Sequence, residues 1–153
     1  MTTEQYMRKT EKGVTLIELM TVMVVLGILT AIAVPSYRRY LLRAQRSDAS
    51  TALLRLQTSE EKFLLQNGVY TTNLTNKPSD TTPGLGIGST SERGFYALEV
   101  KLSATGYTAT AKPNSVKGGQ SDDKTCTEFS VSETGVKKAK DSSSKDRTAE
   151  CWR

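Results

Sequence analysis

The feature that most constrains this chain is an apolar run over residues 14–34, in which Glu18 is the one ionisable residue. A helix of this length spans roughly 31 Å at ~1.5 Å per residue, close to the ~30 Å hydrocarbon core of a bilayer. A carboxylate within such a helix costs roughly 2.5–3.5 kcal/mol at mid-membrane, so an acid there usually has a partner and a function. The run therefore predicts a membrane-spanning helix in which Glu18 has a specific purpose.

An ordinary secretory signal is the alternative interpretation of the same run. Such a signal is cut after its apolar region, and Ala31-Ile32-Ala33 fits the small-residue pattern of that cut, which would leave a soluble chain beginning at Val34. However, the run is longer than the usual ~7–15 residues of a signal, contains Glu18, and follows a glycine, Gly13. These observations favour a retained helix.

Beyond the run the pattern stays helical but becomes amphipathic. Residues 36–67 contain neither Gly nor Pro, and apolar residues recur there at three- and four-residue spacings between charged ones. The apolar positions are Leu41, Ala44, Ala49, Ala52, Leu53, Leu56 and Phe63. We predict one long helix over residues 14–66, ended by Asn67-Gly68.

The rest of the chain predicts a small head. Residues 68–94 are rich in Gly, Pro, Ser and Thr, which is typical of a loop. Alternating apolar and polar residues predict strands at 95–102, 107–111 and 128–132, followed by a basic, Ser-rich tail. We expect an α+β fold, with the long N-terminal helix packed on a small antiparallel sheet.

Composition narrows the possible functions. The chain has no His, the commonest general base and metal ligand, and it offers no catalytic triad or Gly-rich phosphate loop, so we expect neither enzymatic activity nor a cofactor. The net charge of +5 favours anionic partners without naming one. Asp122 and Asp123 are too few oxygen donors for Ca²⁺, which takes ~6–8, so we expect no metal site.

The two cysteines of the chain, Cys126 and Cys151, lie near its C-terminus. In a chain that looks exported, they predict one disulfide. The chain-entropy model assigns the loop that they close roughly 3.5 kcal/mol. The disulfide is therefore expected to supply a large share of the stability of so small a head.

The segment Lys12-Gly13-Val14-Thr15-Leu16-Ile17-Glu18-Leu19 resembles the N-terminus of type IV pilins. In that family a prepilin peptidase cuts after a leader ending in Gly, the new N-terminus is methylated, and the fifth mature residue is Glu. The resemblance implies a removed leader of residues 1–13, Val14 as the N-methylated N-terminus and Glu18 as the fifth mature residue. This chain departs from the family in one respect, since Val14 stands where pilins usually have Phe.

The resemblance also implies how the rest of the chain is divided. Residues 14–35 are expected to form the membrane and filament-core helix, residues 36–67 its amphipathic half, and residues 68–153 the head, with a disulfide loop over 126–151. Pro35 falls where pilins commonly carry proline; it would kink the helix, and with Gly27 it bounds a segment that loosens inside the filament. Glu18 would pair with the free amine of Val14 on a neighbouring subunit and fix the axial register. The alternative for Glu18 is a tolerated acid that reaches the lipid headgroups.

The C-terminal part is similar to the PilE class of minor pilins. The matching pieces are Asp123-Lys124-Thr125-Cys126, Thr134-Gly135 and Cys151-Trp152-Arg153. This resemblance implies a structural subunit of a type IV pilus, a minor pilin for pilus assembly and priming that supports twitching motility, adhesion or DNA uptake. A type II secretion pseudopilin, which shares the helix, is the alternative.

The resemblance further implies partners and a location. The expected partners are other major and minor pilins, the prepilin peptidase and the inner-membrane pilus assembly platform. The chain would cross the inner membrane once with its head in the periplasm, and would then enter the extracellular pilus. The basic residues alone do not predict this orientation, because Arg8, Lys9 and Lys12 precede the apolar run whereas four arginines follow it. These arginines are Arg38, Arg39, Arg43 and Arg46.

A basic cluster in the tail suggests a second function. Its members are Lys137, Lys138, Lys140, Lys145 and Arg147. It resembles the basic stripes with which some minor pilins bind DNA near their disulfide loop, and such binding would depend on salt. The alternative is a solvated loop, because Asp141, Asp146 and Glu150 offset much of the charge. Trp152 would stack on a base in the first case and cover the small core in the second.

Overall fold

The computed structural model describes residues 13–115 and 120–152, so the predicted leader lies, apart from Gly13, outside the described residues. In chain order the elements are α1 (Leu16–Asn67), β1 (Tyr96–Leu102), β2 (Tyr107–Pro113), a 3₁₀ turn (Gln120–Asp122), β3 (Glu128–Ser132), β4 (Lys137–Lys140) and α2 (Thr148–Cys151). Residue contacts divide the chain into two compact units, Met1–Arg38 and Arg39–Arg153. The predicted α+β fold, with a long N-terminal helix and an antiparallel sheet, is confirmed.

Helix α1 begins and ends within two residues of its predicted bounds and continues through Pro35. Its end is set by Gly68, whose φ of +73° is the left-handed conformation that glycine adopts without strain. The Gly68 N–H donates to the Leu64 carbonyl at 2.7 Å and so satisfies one carbonyl of the last turn. In the N-terminal unit, α1 contains a stretch that is long and apolar enough to cross a membrane, with a mean hydropathy of 2.4.

The sheet of the second unit has the order β1-β2-β3-β4, and each neighbouring pair is antiparallel. Alternate residues of the strands are buried, as the period-two pattern predicts. The register aligns Leu98 with Ala111, Ala111 with Phe129, and Phe129 with Ala139. These residues form one row across the buried face.

The buried face of α1 within the second unit begins at Asp48. Its apolar members, Ala49, Ala52, Leu53, Leu56 and Phe63, belong to the same core as the inward residues of the strands. Leu41 and Ala44, the first two apolar positions of the predicted pattern, are exposed, so the part of α1 that packs in the head core starts after them.

Strand β4 lies within the basic, Ser-rich tail, for which the sequence predicted no strand. The turn at Thr134-Gly135, where Gly135 has a φ of +78°, closes a hairpin between β3 and β4. Ala139 is the one buried residue of β4 and lies opposite Phe129. One apolar residue among lysines gives too weak an alternation to predict, whereas the backbone pairing with β3 is sufficient to form the strand.

Candidate functional site

The start of α1 is a capping box formed by Thr15 and Glu18. The Glu18 N–H donates to Thr15 Oγ1 at 3.3 Å, and the Thr15 N–H donates to Glu18 Oε2 at 3.4 Å. The Thr15 hydroxyl also donates to Glu18 Oε2, at 3.3 Å. Reciprocal bonds of this kind satisfy backbone donors that a helix N-terminus leaves without a partner. The Thr-x-x-Glu signature of the box is present in the sequence but was not among the predicted features.

This arrangement gives Glu18 a local role that neither predicted interpretation included. A carboxylate at the first turn also interacts favourably with the helix dipole. Gly13 and Val14 lie just before the box, are exposed, and belong to no helix or strand. The pairing of Glu18 with the amine of another subunit stays a prediction.

The apolar part of α1 offers a continuous surface for packing. Its large side chains are exposed, with Leu16 at 76% and Ile32 at 68%. At Gly27, apart from its two chain neighbours and the nearby helix backbone, no atom of the described residues lies within 4 Å of the place where a Cβ would be. The hydroxyls of Thr21 and Thr30 donate to carbonyls of the preceding turn, so these polar groups are satisfied within the helix. The apolar side chains of this part of α1 are therefore the groups that lipid or other helices have to bury.

A disulfide joins Cys126, which precedes β3, to Cys151 at the end of α2, and the two Cα atoms lie 5.9 Å apart. The predicted pairing is confirmed. Next to it, Trp152 packs edge-on against Phe129 with ring centroids 5.9 Å apart, and its Nε1–H donates to the Lys138 carbonyl at 2.9 Å. Trp152 thus covers the core, as one of its two predicted roles requires.

The residues around the disulfide also bond to the backbone of β4. The Ala139 N–H donates to Thr148 Oγ1 at 2.9 Å, and the Arg147 N–H donates to the Ala139 carbonyl at 2.8 Å. With the bond from Trp152 to Lys138, these contacts hold the C-terminal residues along the outer side of β4.

The predicted basic cluster is divided between β4 and the loop that follows it. Lys137, Lys138 and Lys140 are exposed on the strand. Because side chains alternate along a strand and Ala139 is buried, Lys138 and Lys140 point away from the core. Lys137 lies over the Trp152 ring, with Nζ 5.2 Å from the centroid.

The other two members of the cluster lie in the loop between β4 and α2. Lys145 is exposed there. Arg147 contacts two acids, Asp141 at 3.2 Å and Glu150 at 3.6 Å, so its charge is largely offset. The surface with a surplus of positive charge therefore consists of the three β4 lysines and Lys145.

The acids of this loop act mainly as caps for its turns. Hydrogen bonds from the Lys145 and Ser143 N–H groups and from Arg147 hold the pKa of Asp141 below its usual range, although partial burial opposes the shift. The Thr148 N–H likewise lowers the pKa of Asp146. Both carboxylates accept bonds from the backbone of the loop, and two acids lie near the β4 lysines: Asp146 interacts with the charge of Lys138, and Glu128 lies 3.9 Å from Lys140.

Of the acidic pair Asp122-Asp123, which was considered as a Ca²⁺ site, Asp123 forms an ion pair instead. Arg46 forms two bonds to the buried carboxylate of Asp123, at 2.7 and 3.0 Å. Asp123 also accepts bonds from the N–H groups of Thr125 and Cys126 and so orders the segment that leads to the disulfide. Within residues 13–115 and 120–152, no group of three or more candidate metal ligands occurs.

Comparison with known protein families gives two matches. Residues 35–130 match the family described as type IV minor pilin ComP, DNA uptake sequence receptor. Residues 8–34 match the prokaryotic N-terminal methylation motif. The two matches meet at Pro35 and together cover most of the chain.

Individual relatives are pilins and fimbrial proteins. The type IV major pilin protein PilE of Neisseria gonorrhoeae is 36% identical over 72% of this chain and 62% of its own length. The fimbrial protein EcpC of Eikenella corrodens is 35% identical over 74% of this chain and 71% of its own length. A fimbrial protein of Pseudomonas aeruginosa is 40% identical over about half of each chain, at 52% and 50%.

The chain spans 58–62% of the length of three Neisseria pilins that it matches. The matches agree with the fold, which joins a long apolar N-terminal helix to a four-stranded antiparallel sheet and a C-terminal disulfide. The chain belongs to the type IV pilins, and within them to the minor pilin family described as ComP, DNA uptake sequence receptor.

Proposed function

We propose that this chain is a minor pilin that is held in the inner membrane by the apolar part of α1 and then enters a type IV pilus. The observation that carries the proposal is the exposed apolar surface of α1, headed by Thr15 and Glu18 within a matched N-terminal methylation motif. Packing of this surface against the helices of other pilins replaces contacts with lipid by close van der Waals contacts between helices, which drive assembly.

Processing prepares the helix for assembly. The prepilin peptidase cuts after Gly13, and Val14 becomes the N-methylated N-terminus. Glu18 caps its own helix in the single subunit and pairs with the Val14 amine of a neighbour in the filament. Gly27 and Pro35 bound a segment of α1 that loosens as the helices pack. The assembly platform and other major and minor pilins are the partners in these steps.

The first test is the mass of the N-terminal peptide of protein extracted from membranes. The proposal requires a chain that starts at N-methylated Val14, and a start at Val34 would refute it. Deletion of the gene separates the pilus from its rival, because a type II secretion pseudopilin predicts a secretion defect with surface pili unchanged. A minor pilin predicts fewer pili and weaker twitching motility, adhesion or DNA uptake.

A DNA-binding role for the head is supported by a separate observation. The matched family is described as a DNA uptake sequence receptor, and β4, which lies within the disulfide loop 126–151, exposes Lys137, Lys138 and Lys140. Along a strand Lys138 and Lys140 are roughly 6.6 Å apart, at ~3.3 Å per residue, so both can reach the backbone of one nucleic acid. We infer that these lysines and Lys145 contact phosphates, whereas Arg147 mainly orders the loop.

The DNA test compares two charge-matched triple variants of the full chain in an uncharged detergent. One neutralises β4 (Lys137→Gln, Lys138→Gln, Lys140→Gln), and the other neutralises exposed lysines elsewhere on the head (Lys62→Gln, Lys77→Gln, Lys101→Gln). Fluorescence anisotropy with a labelled duplex is recorded between 50 and 200 mM salt. Loss of three phosphate contacts lowers the slope of log K against log salt by about 2.7. Equal slopes for both variants would contradict a site on β4.

A further inference from the structure

The two cysteines of the disulfide lie in unlike surroundings, both within the unit Arg39–Arg153. Cys126 is fully buried, whereas 4% of the surface of Cys151 is exposed. Cys151 also lines a cavity of about 530 Å³ between α1 and α2, whose other lining residues are Arg43, Ala44, Arg46, Ser47 and Glu150. A cavity of this size is in the range that admits a small molecule. It gives a reagent in solution a route to Cys151.

Cys126 is held by a buried network centred on Asp123. Asp123 Oδ1 accepts the Cys126 N–H at 3.2 Å, and Arg46 of α1 donates two bonds to the same carboxylate. The side-chain amide of Gln120 donates to Asp123 Oδ2 at 3.3 Å and to the Tyr96 hydroxyl at 2.6 Å. The network therefore joins the segment before Cys126 to α1 and β1, and none of these bonds passes through the disulfide.

The segment that carries Cys151 has fewer anchors. α2 has four residues, and the Cys151 N–H donates to the Arg147 carbonyl within the same turn. A helix of one turn is not stable by itself. Hydrogen bonds that involve Arg147, Thr148 and Trp152 attach it to β4, which is a short edge strand. Opening of α2 breaks these hydrogen bonds, whereas release of Cys126 breaks a buried ion pair at a higher cost in free energy.

We propose that the disulfide forms in an already folded head, where Cys151 reacts first with an external disulfide oxidant and Cys126 completes the bond. The Cys151 thiolate attacks one sulfur of the oxidant, whose S–S bond breaks and releases one thiol. The Cys126 thiolate, positioned by Asp123, then attacks Cys151 Sγ and releases the second thiol. The two cysteines are oxidised, the oxidant is reduced to two thiols, and the two cysteine protons pass to the released sulfurs.

The first test uses the unmodified, oxidised chain in an uncharged detergent. Brief exposure to reduced glutathione runs the exchange in reverse, so that glutathione attaches to the cysteine that an oxidant meets first. N-ethylmaleimide alkylates the released thiol and so traps the mixed disulfide, which is located by peptide mass spectrometry. We expect glutathione on Cys151. An equal or larger share on Cys126 would overturn the proposed order of reaction.

The second test measures the protection of each cysteine without the disulfide. Cys126→Ser leaves Cys151 as the single thiol, and Cys151→Ser leaves Cys126. Reaction with oxidised glutathione is followed by intact mass, and Trp152 fluorescence shows that both variants are folded. Because a buried thiol reacts in proportion to the population of its open state, Cys151 is expected to react roughly 100-fold faster than Cys126. In urea the two rates should be alike. Equal rates without urea would overturn the proposal, because Cys126 would then not be held in the reduced chain.

The role of Asp123 is tested in the Cys151→Ser background. Asp123→Asn keeps an oxygen for the Cys126 N–H but removes the charge that pairs with Arg46, and it is expected to raise the rate of Cys126 at least about tenfold. Asp48→Asn is the matched control, because Asp48 is a second buried acid that accepts its hydrogen bonds from the loop before β1. The control is expected to leave the rate unchanged. No change with Asp123→Asn, or an equal rise with the control, would refute the positioning role of Asp123.

Discussion

Glu60 offers the sharpest test of the energetics of the head, because it is a fully buried acid on the core face of α1. Its Oε2 accepts a bond from the Thr71 N–H at 3.2 Å, whereas its Oε1 has no hydrogen-bond partner within the described residues. Burial raises the pKa of Glu60 from 4.5 to about 7; the bond from Thr71 opposes this shift and the nearby charge of Glu61 adds to it. Tyr107 and Glu133 lie in the same region, and the buried Tyr107 hydroxyl also has no hydrogen-bond partner in the described part of the chain.

The raised pKa sets the sign of the pH dependence. Below pH 4.5 Glu60 is protonated in both the folded and the unfolded chain, and its contribution to stability is fully present. Between pH 4.5 and about 7 the unfolded chain ionises first, so the free energy of unfolding falls. A shift from 4.5 to about 7 corresponds to a loss of about 3 kcal/mol, which is complete above the folded pKa.

The substitution Glu60→Gln removes this loss while keeping an oxygen that accepts the Thr71 N–H. We expect the variant and the unmodified chain to have similar unfolding free energies at pH 4.5, and the variant to be more stable by about 3 kcal/mol at pH 8. Urea denaturation of the full chain in neutral detergent, followed by Trp152 fluorescence at both pH values, measures the difference. Glu99→Gln, at an exposed position of β1, is the control and should show no such pH dependence. If Glu60→Gln and the unmodified chain were equally stable at pH 8, ionisation of Glu60 would cost the folded chain nothing, and the reasoning from burial would be refuted.

Three further predictions concern stability and can be measured by the same denaturation. Replacing Cys126 and Cys151 by Ser should lower the free energy of unfolding by roughly 3.5 kcal/mol, and a reductant should have the same effect on the unmodified chain; no response to reductant would mean that the bridge is absent. Asp123→Ala should cost about 3–5 kcal/mol, because it leaves Arg46 buried without its partner, and a much smaller cost would indicate that water reaches the guanidinium. Gly135→Ala should destabilise the head by about 1 kcal/mol, since φ is +78° there; an unchanged midpoint would imply that the hairpin adopts another turn.

The elements that the sequence predicted well are those whose pattern is local. Helix α1 has the length and spacing of a helix throughout, and β3 has a clear alternation around Phe129 and Val131, so both were placed within two residues of their observed bounds. The two cysteines of the chain allowed a single pairing. In each case the prediction depends on the residues of the segment itself and not on distant contacts.

The features that the sequence did not predict depend on partners that are distant in the chain. Asp48 interrupts the apolar stripe of α1, yet it is buried because the Ser91 hydroxyl and the Arg93 N–H donate to it. Glu60 is buried and, among the residues that the structure describes, accepts one hydrogen bond, from the Thr71 N–H. Strand β4 exists because β3 supplies its hydrogen bonds. Arg46 on α1 likewise pairs with Asp123, and no local pattern connects these two residues.

The bonds from Thr148, Arg147 and Trp152 to β4 have a consequence for the chain before its disulfide forms. β4 is an edge strand, and an open edge can add a strand from another molecule. In the oxidised head the residues beside Cys151 cover part of that edge, and the β4 lysines repel a second copy of it. A reduced chain keeps the lysines but loses the covalent tether of the covering residues. We therefore expect oxidation to protect the chain against sheet-to-sheet aggregation, and the risk of misassembly to be greatest in the interval before Cys126 and Cys151 join.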